Sequence, residues 1–240
     1  MTRFGSLAVS VLLTLITPPV GNQYRIETGA QAGQAEGRII LTASHMSPLR
    51  AVLQLATENK LPLGISFGPQ PLLCAKEHSF SINAGTIREA IAQSLVGTGY
   101  SVELKDGVFV LSAPDITIHE RTLLDYRFDK FSATQSTMSG AGALLAGYIM
   151  TVAEGASGFA GSVPYGQSAE RFNIVMYSAT TTEIANRIVS EDGKGVWVFR
   201  PTRDAIPTSG NDTPIEVYSY RDNSEGIENL SCRGHAEHGE

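Results

Sequence analysis

Residues 47–114 carry two helix signals, each followed by an alternating strand signal, and this order limits what the chain can fold into. Ser47-Pro48-Leu49 puts a hydroxyl at an N-cap and proline at the first helical position, where its missing N–H costs nothing. Leu49, Val52, Leu53 and Ala56 then recur at helical spacing as one apolar stripe. Leu63-Gly64-Ile65-Ser66-Phe67 alternates large and small side chains, as a half-buried strand does, and Gly68-Pro69-Gln70-Pro71 breaks the chain. After the break the order repeats. Residues 78–82 alternate polar with apolar, and Thr86 and Glu89 have the spacing of a capping box. Ile87, Ala90, Ile91 and Leu95 form one helix face that Gly97 ends. Tyr100, Val102 and Leu104 lead to the turn pair Asp106-Gly107, with residues 108–111 returning as a hairpin partner. Neither helix is flanked by long parallel strands, so the unit reads as α+β.

Several of these residues carry a resemblance. The run Ser47-Pro48-Leu49-Arg50-Ala51-Val52-Leu53, the strand Leu63-Gly64-Ile65-Ser66-Phe67, the helix Thr86-Ile87-Arg88-Glu89-Ala90-Ile91 and the turn Gly97-Thr98-Gly99-Tyr100 resemble the short secretin/TonB N-terminal (STN) domain over roughly residues 38–113. The resemblance implies two helices held between two small sheets and a periplasmic setting. It also implies a protein-binding role without catalytic residues or a cofactor. The implied partners are envelope proteins of the secretin, TonB-dependent transporter or anti-sigma regulator type. The strand holding Leu63, Ile65 and Phe67 is the candidate docking edge, and self-association stays open.

Ahead of this unit, Met1-Thr2-Arg3 and an apolar run over residues 7–16 closed by Pro18-Pro19 fit a signal peptide in residues 1–21. The run is shorter than the about 20 residues a spanning helix needs. A buried N-terminal helix and an uncleaved membrane anchor are the alternatives. The expected location is therefore exported or periplasmic, with residues 22–37 as a linker.

The second half is looser. Leu124, Tyr126 and Phe128 alternate with Asp125, Arg127 and Asp129 as a strand would. Residues 138–153, rich in Gly and Ala, predict a packed helix, and residues 155–166 a glycine-rich loop open to partner contact. That loop lacks the Gly-Lys-Ser/Thr ending of a phosphate cradle. A strand over residues 172–176 and a helix capped by Thr181 or Thr182 follow, and then Gly193 and Gly195 lead into a strand over residues 196–199. Ile184-Ala185 and Ile188-Val189 echo Ile91-Ala92 and Leu95-Val96 at the same spacing. The expected architecture is thus α+β, two small strand–helix–strand domains in series over residues 38–113 and 114–203. A polar, disordered tail covers residues 204–240, with an edge strand conceivable at 215–220.

The formal net charge of -6 opposes nucleic-acid binding, which needs a basic face. Cys74 and Cys232 are the two cysteines and could form one bridge in an oxidising compartment. Cys232, His235 and His238, with Glu237 and Glu240, are ligand-type side chains. Gly234 and Gly239 oppose the helix that would align them, so a solvated tail without metal is expected. No Gly-x-Ser-x-Gly, Ser-x-x-Lys or His-Glu-x-x-His pattern occurs. The expectation is a binding module rather than an enzyme. The alternative is an envelope enzyme with the glycine-rich loop over its site.

Overall fold

The two halves of the chain meet in one sheet. The computed structural model describes residues 25–26, 39–68, 78–154, 170–193, 195–200 and 214–219. The first half holds β1 (Arg25–Ile26), β2 (Ile39–Met46), α1 (Pro48–Asn59), β3 (Leu63–Ser66), β4 (His78–Ala84), α2 (Ile87–Ser94), β5 (Ser101–Lys105) and β6 (Val108–Ser112). The second holds α3 (Ile118–Asp125), β7 (Arg127–Ser136), α4 (Met138–Glu154), β8 (Phe172–Thr180), α5 (Thr181–Asp192), β9 (Gly195–Phe199) and β10 (Ile215–Ser219). The fold class is α+β.

Local chemistry starts the helices where the side chains dictate. Ser47 accepts from the Arg50 N–H to open α1. Thr86 and Glu89 close a complete capping box on α2, and Thr117 with Glu120 and Thr180 with Glu183 do the same for α3 and α5. Asp106 and Gly107, with φ of 52° and 79°, make the two-residue turn between β5 and β6. Two positive φ values in succession match the twist of a hairpin.

The central sheet has the order β10-β9-β3-β6-β5. Its inner strands β9, β3 and β6 run parallel, and β10 and β5 are antiparallel at the two edges. On one face, Leu63, Ile65, Leu111, Val196 and Val198 join α1, α2 and the outer sheet β1-β2-β4 in a first core. Two helices between two sheets is the arrangement the resemblance implies. On the other face, Val108, Val110, Trp197, Phe199 and Val217 join α3, α4, α5 and the outer sheet β7-β8 in a second core. Each parallel strand therefore sends alternate residues into two different cores, which is why residues 195–199 are buried without a break.

This topology corrects several expectations. Residues 38–113 and 114–203 are not two domains in series, because β3 pairs directly with β9 across that boundary. Residue pairs such as Gly64–Trp197 need each other: a methyl at Gly64 would lie 2.2 Å from the indole carbons. The expected linker contains β1, which pairs with β2. The edge strand expected at 215–220 is β10, which pairs with β9 at the end of the sheet, so that part of the expected tail belongs to the fold. Leu124 belongs to α3 rather than to a strand, and the strand starts at Arg127. Thr181 and Thr182 do not cap α5, whose cap is Thr180. Their hydroxyls donate instead to the carbonyls of Leu123 and Leu124 at 2.7 and 3.1 Å, satisfying the end of α3. The leader at residues 1–21 and the glycine-rich stretch at 155–166 lie outside the described residues.

Candidate functional site

The expected docking edge is not an edge. Leu63 and Ile65 are fully buried in β3, and Phe67 just beyond it is 5% exposed. β3 lies in the middle of the central sheet, between β9 and β6. Its backbone groups are committed on both sides, so no partner strand can reach them. The alternation of large and small residues marks a strand buried on both faces, where Gly64 and Ser66 make room for the second core. Cys74, Cys232 and the ligand-type residues His235 and His238 lie outside the described residues. Among the described residues, no group of three or more His, Cys, Asp or Glu comes together as a metal site. No helix among them is long and apolar enough to cross a membrane.

Two other concave surfaces lie among the described residues. The first runs along α4 beside β7. Phe128, Leu144, Gly147, Tyr148, Thr151 and Val152 line a groove of about 340 Å³. Five of the lining residues come from α4 and one, Phe128, from β7. Among the described residues β7 and β8 pair only with each other. Leu144 is 44% exposed and Tyr148 38%, while Leu145 and Ile149 on the same helix are buried in the second core. The Tyr148 ring is held edge-on by Phe128 and Phe131, at 5.5 and 5.7 Å between centroids. Tyr126 extends the aromatic row, 4.9 Å from Phe128. Fixed rings of this kind offer apolar area with little ordering left to do on binding.

The second surface is polar. A cavity of about 560 Å³ opens between the second-core face of β5 and the helix α3. Glu103 and Lys105 reach it from β5, and Arg121 and Asp125, one turn apart, reach it from α3. Lys105 Nζ lies 2.9 Å from Glu103 Oε2. That hydrogen bond, and then the ammonium charge, hold the Glu103 carboxyl below the usual carboxylate range. The backbone beneath is fixed by a buried relay. Trp197 Nε1 donates to Asn186 Oδ1 at 2.8 Å, and Asn186 Nδ2 donates to the Lys105 carbonyl at 3.3 Å.

Comparison with protein-family models, curated proteins and solved structures gives no match.

Both surfaces escaped the sequence reading. Leu144 and Tyr148 sit among apolar residues of a helix with a weak polar face, so nothing in the pattern separates them from Leu145 and Ile149. Arg121 and Asp125 were hidden because α3 itself was missed, although Thr117 and Glu120 carry the spacing that starts it.

Proposed function

We propose that the protein is an exported, periplasmic protein–protein interaction module that accepts an extended segment of an envelope partner along β7, on the side where no strand among the described residues pairs with it. The observation that carries this reading is the apolar groove between α4 and Phe128 of β7. A strand added to β7 would gain main-chain hydrogen bonds and drop alternate apolar side chains between Leu144 and Tyr148. A two-stranded sheet is a marginal unit, and a third strand completes it. The STN resemblance supports the same class of role and points to a secretin, a TonB-dependent transporter or an anti-sigma regulator as partner. The test is a photoreactive residue at position 144 in the full-length protein in its host, with one at exposed Arg88 as control. An envelope protein cross-linked from 144 and not from 88 supports the reading. No specific adduct, with export verified, overturns it.

The polar cavity favours a second reading, an envelope enzyme acting on a small polar molecule. Four charged side chains of both signs converge on it. Thermal-shift screening of wild type and Arg121→Ala against small zwitterions and phosphorylated compounds tests it. A compound that raises the Tm of wild type alone supports this reading, and no shift with any of them removes it.

A further inference from the structure

The β5 edge of the central sheet has a pattern that fits itself. Among the described residues β5 pairs with β6 alone and ends the sheet on that side. Lys105 and Val108 flank the two-residue turn, so they form the hydrogen-bonded pair that closes it, and the pairs alternate from there. Ser101, Glu103 and Lys105 thus spend their backbone groups on β6. Val102 and Leu104 turn theirs outward. Leu104 is 54% exposed for a side chain with no polar atom. On the opposite face, Glu103 and Lys105 stand two residues apart with opposite charge, their side chains 58% and 51% exposed.

We infer that β5 is the contact between two copies of this chain, joined edge to edge and antiparallel about a two-fold axis at Leu104. With Leu104 opposite the partner's Leu104, the two leucines exchange both of their outward N–H and C=O groups. Glu103 then falls opposite the partner's Lys105, and Lys105 opposite the partner's Glu103. These are the non-hydrogen-bonded positions, where cross-strand side chains come closest. The alternative two-fold axis at Glu103 sets the two acids directly against each other. The charges therefore choose the register as well as the partner. Charged residues on an exposed strand can also serve to block pairing. An isolated blocking charge repels a second copy, whereas Glu103 and Lys105 alternate in sign so that two-fold symmetry pairs them. The symmetric contact is isologous and closes after two copies, so it does not grow into a fibre. This inference names a further partner for the docking module, but it uses a different edge from β7.

Sedimentation equilibrium of the full-length protein over a dilution series tests it. The wild type is expected to approach twice the protomer mass as concentration rises. Glu103→Lys and Lys105→Glu, each measured alone, should remain monomeric. An equimolar mixture of those two should regain the doubled mass, because each then meets its complement. The double exchange E103K/K105E should dimerise like wild type, since it restores opposite charges about Leu104 but not about Glu103. Leu104→Pro removes an outward N–H without breaking a β5–β6 bond, and should be a folded monomer by circular dichroism. A wild type that stays monomeric throughout overturns the inference, as does a dimer that all three single variants retain. Either result leaves the cross-link from position 144 to be decided separately.

Discussion

Asn186 shows how much one side chain can hold. It is fully buried on α5, accepts from the Trp197 indole and donates to the Lys105 carbonyl, so it ties β9, α5 and the β5–β6 turn together. Asn186→Ala leaves the indole N–H unpaired in the second core. The expected loss is about 1–3 kcal/mol, read from the urea midpoint. Tyr100 is the opposite case. Its hydroxyl is buried beside the Asp115 carboxylate, with the Gly68 backbone near it but no well-formed hydrogen bond among the described residues. Tyr100→Phe should therefore raise stability by about 1 kcal/mol, because an unsatisfied polar group leaves the core and nothing is broken. Burial outweighs the opposing contact from the Gly68 backbone and, reinforced by Asp115, pushes the phenol pKa up from 10.0. The folded protein keeps that proton where the unfolded chain releases it. Titration of this group therefore leaves stability unchanged below pH 10 and lowers it as pH rises above 10. Wild type should lose stability from pH 10 upward more steeply than the phenylalanine variant, by denaturation at a series of alkaline pH values.

At the level of elements, α4 is the packed small-residue helix that its Gly and Ala content predicts. Thr137 accepts from the Gly140 N–H at its start, and Ala141, Leu145 and Ile149 anchor it in the second core. Its small residues serve close packing. A Cβ at Gly142 would stand 2.7 Å from Val217 Cγ2, so the glycine lets β10 lie against the helix. Gly142→Ala gains up to about 1 kcal/mol of helix propensity but forces β10 away, at about 1–3 kcal/mol. A net destabilisation is expected. Val217→Ala makes room for the new methyl, so the double variant should be more stable than the sum of the single effects allows, by about 0.5 kcal/mol or more in a double-mutant cycle. Strict additivity would show that the two residues do not share this contact.

The whole molecule should unfold as one unit. Both cores are built on the same parallel strands: Val196 and Val198 face the first, and Trp197 and Phe199 the second. Trp197 is the single tryptophan, so its fluorescence reports the second core and the shared sheet, while far-ultraviolet circular dichroism reports all helices. The two signals are expected to share one midpoint in urea. Two separated transitions would restore the picture of independent halves. For the same reason residues 38–113 expressed alone should not fold, as β3 loses its neighbour β9 and Val108 and Val110 lose their cover. Proton NMR of the fragment checks this through the dispersion of its methyl and amide signals.

Helix starts, turns and strand alternation were open to reading because they depend on neighbours a few residues away. Ser47, the Thr86–Glu89 box and Asp106-Gly107 each do in the structure what their local chemistry requires. The apolar alternation at residues 63–67 likewise identified a strand, but a strand's period says which residues point together and not how many neighbours it has. That β3 is central depends on β9, which arrives more than a hundred residues later. The same long-range pairing buried Leu63, Ile65 and Phe67. It placed Gly64 under Trp197, while Glu103, Leu104 and Lys105 face solvent on β5, which pairs with β6 alone among the described residues. Local interactions set the elements. Which edges stay open is a property of their pairing across the chain, and with it the surfaces left to receive a partner.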